Sequence, residues 1–141
     1  MTEGWCGDDY LILFADSEVT SASERYAIDE MLPGYQVMGL RGWDDLILRD
    51  SGGGLHSVPT VPADLQYLAP FVMPDGALAL QPDERIHGKI KWYLKPLVFG
   101  GDPNSEQNLI WASHEHHGQL VRWWNDQFRA IKSRASAGGA G

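Results

Sequence analysis

Cysteine is nearly missing from this chain: Cys6 stands alone in 141 residues. A lone thiol excludes an internal disulfide, and without a second cysteine a Cys-based zinc site is not expected. No helix start or lysine stands beside Cys6 to activate it as a nucleophile. Long apolar runs are missing too. The longest, YLILFA at 10–15, falls far short of the roughly 20 residues that cross a bilayer as a helix. The first residues, MTEGWCGDD, are acidic and hold no apolar stretch of the secretory kind, so a cytoplasmic, soluble chain with no membrane partner is expected.

Signature motifs are equally scarce. Gly52-Gly53-Gly54 is not followed by Gly-Lys-Ser/Thr, and Asp50 beside it would repel a phosphate. There is no Gly-x-Ser-x-Gly nucleophile motif and no His-Glu-x-x-His zinc motif. Neither a cofactor nor an enzymatic activity is expected.

Basic residues are sparse where acids are dense. Residues 1–50 carry Glu3, Asp8, Asp9, Asp16, Glu18, Glu24, Asp29, Glu30, Asp44, Asp45 and Asp50 against only Arg25, Arg41 and Arg49. The remainder is balanced, so the first third holds the whole net charge of −8. Phosphate contacts need Lys and Arg, which argues against a nucleic-acid partner. An acidic surface instead attracts basic protein surfaces. The same charge also serves plain solubility.

What the chain does have is apolar and aromatic. Hydrophobic residues make up 43% and there are six tryptophans, enough for one folded domain with a real core. That domain is expected over 1–132, with the small residues of 133–141 as a flexible tail. Strands are expected at 10–15, 35–40, 46–49, 55–58, 91–99 and 109–112, with a short one at 76–81. Asp50-Ser-Gly-Gly-Gly54 between two apolar runs reads as a hairpin turn. Pro96 has no N–H to donate, which puts 91–99 at a sheet edge or a bulge. Ser21-Ala-Ser-Glu24 reads as a capping box opening a helix to about Met31, before Pro33-Gly34. At most a short helix fits 63–68.

The clearest helix closes the chain. Ser113 is a suitable N-cap, and Glu115 complements the positive end of the helix dipole. His117, Leu120, Val121, Trp124, Phe128 and Ile131 recur at helical spacing and share one face. Arg122, Asn125, Asp126 and Arg129 fall opposite, while Trp123 flanks the stripe. The fold class that follows is α+β: a single domain with a largely antiparallel sheet and two principal helices packed on it.

Two clusters carry candidate chemistry. Trp43 precedes Asp44 and Asp45 in RGWDD. Adjacent carboxylates in extended chain point to opposite sides, so the pair is weak for acid–base work. Next to a tryptophan it suits a protein interface. Trp43, Asp44, Asp45 and Asp50 are therefore the expected partner-binding residues, with Trp123 as a second tryptophan. The other cluster is His114, His116 and His117. His114 and His117, three apart, share a helix face, which leaves a metal-dependent hydrolase completed by Asp102 or Glu106 as an alternative. The plainer reading makes His117 a core-edge residue and Asp102 a turn-former.

Two stretches then resemble a known group: LPGYQVMGLRGWDDLILRDSGGGLHSVPTVP at 32–62 and FGGDPNSEQNLIWASHEHHGQLVRWWNDQFR at 99–129. The helix leading into Leu-Pro-x-Tyr, the Trp-Asp-Asp strand start and the closing aromatic helix carry the likeness. It is to bacterial immunity proteins of polymorphic toxin systems, nearest to the SMI1/KNR4-like (SUKH) group. The resemblance implies a non-enzymatic α+β domain that binds a cognate toxin, often a nuclease, and neutralises it in the cytoplasm. A regulatory adaptor for another basic protein would use the same binding chemistry.

Overall fold

In the computed structural model, which describes residues 1–96 and 99–139, six strands pair in sequence order into one antiparallel sheet. They are β1 (Thr2–Cys6), β2 (Asp9–Leu13), β3 (Gln36–Arg41), β4 (Asp45–Arg49), β5 (Leu55–Pro59) and β6 (Ala69–Pro70). Two more, β7 (Ile90–Tyr93) and β8 (Leu109–Ala112), form a separate antiparallel pair. Helices α1 (Val19–Arg25) and α2 (Ile28–Met31) lie between β2 and β3, and α3 (His114–Gly139) follows β8. The fold is α+β with a mostly antiparallel sheet. Among the described residues no helix is long and apolar enough to cross a membrane.

Alternation along the strands divides the core between two sheet faces. Tyr10, Ile12, Leu40, Leu46, Leu48 and Val58 join Tyr26, Ile28, Ile90, Trp92 and Val121 in the larger core. Leu11 and Ile47 point the other way and are covered by Phe71, Met73, Ala77 and Leu80. Burying each such large aliphatic side chain contributes roughly 1.5–3 kcal/mol. A register shift in β3 between Val37 and Gly39 lets Val37 and Leu40 share the larger core, which strict alternation would forbid. On the helical side, a β-carbon at Gly118 would lie 2.4 Å from Arg25 Cγ and 2.9 Å from its carbonyl oxygen. Glycine is what lets the end of α1 approach α3 so closely.

The structure corrects several expectations. The first residues form a strand not expected there: Thr2–Cys6 pairs with β2 across a turn at Gly7 and Asp8. The backbone of Gln81 lies against Gly4, where an added β-carbon would come within 2.4 Å. Helix α1 begins at Val19, so Ser21 sits inside it and no capping box forms there. Glu18 reaches back instead, accepting from Ala15 N at 2.8 Å. The left-handed backbone of Ala27, φ 52°, then divides the expected single helix in two.

Residues 76–81 are not a strand. Asp75–Ala79 is a 3-10 turn following Pro74, and 63–68 contains only the 3-10 turn Leu65–Tyr67, capped by Asp64. Strand β7 ends at Tyr93, and positions 97 and 98 of the expected strand lie outside the described residues.

Helix α3 starts as its sequence predicts, with His116 N donating to Ser113 Oγ at 3.1 Å. Its buried stripe stops at Phe128, because Ile131 is 47% exposed. Asn125, expected on the solvent side, is buried. Its amide accepts from Ala63 N (2.8 Å) and donates to Thr60 O (2.7 Å) and Val121 O (2.9 Å). It satisfies backbone groups of the segment after β5 that no strand would otherwise pair. The helix continues to Gly139, within the stretch expected as a tail, while 140–141 lie outside the described residues.

Candidate partner-binding site

Two hairpin turns and the β7–β8 pair converge at one end of the sheet. Register sets Trp5 opposite Tyr10 on β1 and β2, and their rings meet edge to face at 5.2 Å. Tyr10 is fixed in turn by donating its hydroxyl to the buried Glu3 carboxylate at 2.6 Å. Burial, and then that bond to Glu3, pushes the Tyr10 phenol up to about 12. Strands β7 and β8 set Lys91 opposite Trp111.

Trp43 lies between these groups, in the turn joining β3 to β4. It stacks on Tyr10 with centroids 5.7 Å apart and planes 18° from parallel. It meets Trp5 at 5.8 Å and Trp111 at 5.6 Å, both nearly perpendicular. The turn has positive φ at Gly42 (59°) and at Trp43 (68°). Left-handed backbone costs an L-residue roughly 1–2 kcal/mol and is rare for a bulky side chain. It persists where the surroundings over-determine it, and such places are often functional. Here three aromatic contacts hold it. The outer members of the row remain open, with Trp5 46% and Trp111 44% exposed.

The surrounding charge is acidic and only partly compensated. Asp8 and Asp9 are exposed, and the Asp9 carboxylate flanks Gly42. Asp45 is bridged to Arg41 at 2.7 Å. Asp44 has no ion-pair partner among the described residues. Loss of water around its carboxyl, and then the neighbouring Asp45, raise its pKa, while Lys91 opposes them. The Lys91 ammonium lies 6.0 Å from the Trp43 ring centroid and 5.7 Å from that of Tyr93, within cation–π range. Beside it a cavity of about 200 Å³ has walls from Pro59, Val61, Tyr93 and Pro96 and carries Asp44 and Asp45.

Of the residues singled out in sequence, Trp43, Asp44 and Asp45 come together here. Asp50 does not: it lies at the other end of β4, on an open groove of about 1040 Å³. Trp123 is 53% exposed on α3 and packs on Trp124, and no contact joins it to Trp43 among the described residues. Trp5, Trp111 and Lys91 were missed. The alternation of Glu3 and Trp5 around a glycine was the available signal for β1, and the Lys91–Trp111 pairing needs the register of β7 on β8.

The histidines serve other ends. His117 is fully buried, hydrogen-bonded through Nδ1 to the Tyr26 hydroxyl (2.7 Å), with Trp92 edge-on at 5.2 Å. Burial, followed by the nearby His114 and Arg25, pushes it down to about 3. His114 is partly buried and is lowered by desolvation and by Arg25. His116 is exposed. Asp102 accepts from Asn104 N at 2.9 Å as a turn-former, and Glu106 opens the 3-10 turn Glu106–Asn108. Among the described residues no three His, Cys, Asp or Glu side chains converge to hold a metal. No protein-family model matches this chain, and neither the curated proteins nor the solved structures contain a significant match to it.

Proposed function

We propose that this chain is a non-catalytic binding protein that captures a basic protein partner through the Trp5–Trp43–Trp111 row and the acids around it. One observation carries the reading: Trp43 is held in a strained turn between two exposed tryptophans, next to an Asp44 with no ion-pair partner among the described residues. Exposed tryptophans near a desolvated centre make interface hot spots, and acidic rims steer basic partners. The resemblance to SUKH-type immunity proteins makes the partner a cognate toxin, of the nuclease kind whose phosphate-binding face is basic. The place of action in this reading is the cytoplasm.

The test is a pull-down from the cells that encode the chain, with the captured protein identified by mass spectrometry. Recovery of a basic toxin domain, lost with Trp43→Ala and with Asp44→Arg, is the expected result. Recovery of a basic regulatory protein instead would make the chain an adaptor using the same surface. Capture that survives both substitutions would place the interface elsewhere.

A further inference from the structure

The cavity beside Asp44 combines features that an acidic surface alone lacks. Pro59, Val61, Tyr93 and Pro96 give it apolar and aromatic walls, and Thr60 and Lys91 line it too. Asp45 is already engaged by Arg41, whereas Asp44 has no cation of its own among the described residues. The chain's own lysine shows that a positive charge is accommodated there, since Lys91 Nζ sits over the Tyr93 and Trp43 rings. Trp92, only 5% exposed, also lines the cavity, and its indole N–H has no partner among the described residues.

We propose that this cavity receives an arginine side chain of the partner, its guanidinium paired with Asp44 and its plane against Tyr93. The proposal rests on the protein-binding reading above and names the chemistry of its anchor. Arginine fits better than lysine because a planar guanidinium pairs with a carboxylate in a fork and stacks on an aromatic ring. A lysine ammonium is more strongly hydrated and gives up more water on entering apolar walls. Lys91 then acts as an occluding cation that the incoming arginine displaces or repels.

The probe is an acetylated, amidated hexapeptide carrying two arginines, compared with its lysine counterpart and titrated into the intact chain by amide NMR. The arginine peptide should shift the resonances of Asp44, Val61 and Tyr93 saturably, and bind about fivefold tighter than the lysine peptide. Asp44→Asn should weaken it about tenfold, and Lys91→Met should strengthen it. Asp44 makes no side-chain hydrogen bond among the described residues and its surroundings disfavour its charge, so a melting temperature that does not fall is expected as the folding control. Equal binding of the two peptides, indifference to Asp44→Asn, or shifts elsewhere would overturn the proposal. If the peptide fails while a basic partner is still captured, the anchor is wrong and the binding reading stands. If the peptide binds and no basic partner is recovered, the cavity stands and the reading falls.

Discussion

Strand β4 has an aspartate-bearing turn at each end, and the fold treats the two in opposite ways. At its far end Asp50 is engaged within its own turn. One carboxylate oxygen accepts from Gly52 N and Gly54 N, both at 2.9 Å, and the other lies 2.8 Å from His56 Nε2. The bond to His56, and then that to Gly54, holds its carboxyl below the usual range. At the near end Asp44 has no such partners among the described residues, and its surroundings push its carboxyl the other way. That turn is held by aromatic packing on Trp43 and by the Arg41–Asp45 bridge across it, in which Asp44 takes no part. Equal charges in the sequence are therefore unequal in the structure: one organises a hairpin, and the other, in the proposed reading, serves recognition.

The comparison is sharpened first by removing the largest acid effect in the molecule. His117 is pushed down to about 3 by burial, against about 6.5 in an unfolded chain. Its folded pKa is depressed, so stability is full above about pH 6.5 and is lost as pH falls toward 3, by up to about 1.4 kcal/mol per pH unit. Urea melts across that window should show this loss, and His117→Gln should flatten it. A slope unchanged by the substitution would assign the acid sensitivity elsewhere.

Binding should separate the two turns next. Asp44→Arg should weaken partner capture by about tenfold or more, about 1.4 kcal/mol, while Asp50→Asn should leave it intact. Equal losses measured by calorimetry would dissolve the distinction. Stability should then run in the reverse order. Asp50→Ala removes the acceptor for two backbone N–H groups and should lower the melting temperature, whereas Asp44→Ala should not.

Their pH signatures should also be opposite. The Asp50 contribution is present above the ordinary carboxylate range and lost as pH falls through it. The Asp44 contribution is present at low pH and lost as pH rises through that range, because the folded state disfavours its charge. Melts at pH 3 and 7 in the His117→Gln background would read both signs, and a shared sign would refute the assignment. Smallest of all, Trp123→Ala on the exposed side of α3 should change stability by no more than about 0.5 kcal/mol, and should not alter capture through Trp43.

Much of this architecture was legible before any coordinates. The alternation of β3, β4 and β5 with their glycine-marked turns, and the 3.6-residue stripe of α3, are local signals, and they placed the sheet and its closing helix. Trp43, Asp44 and Asp45 were found because they are neighbours in sequence. Trp5 and Trp111 were not, because their proximity to Trp43 comes from three separate pairings, β1 with β2, β3 with β4 and β7 with β8. Asn125 looked like a solvent-side residue because helical periodicity scores polarity, and it cannot see that Thr60 and Ala63 need hydrogen-bond partners. Residues 76–81 looked extended by composition, yet they fold as a turn over the second face of the sheet.

By itself the sequence determined the α+β class, the hairpin turns and the concentration of negative charge in the first third. Each of these depends on residues close together in the chain, through backbone geometry and side-chain periodicity. Only the tertiary structure decided which acids are free, which tryptophans form a surface and why the histidines are not one. Those properties depend on what each polar atom meets across the fold: His56 and two glycine amides meet Asp50, Tyr26 meets His117, and no cation pairs with Asp44 among the described residues.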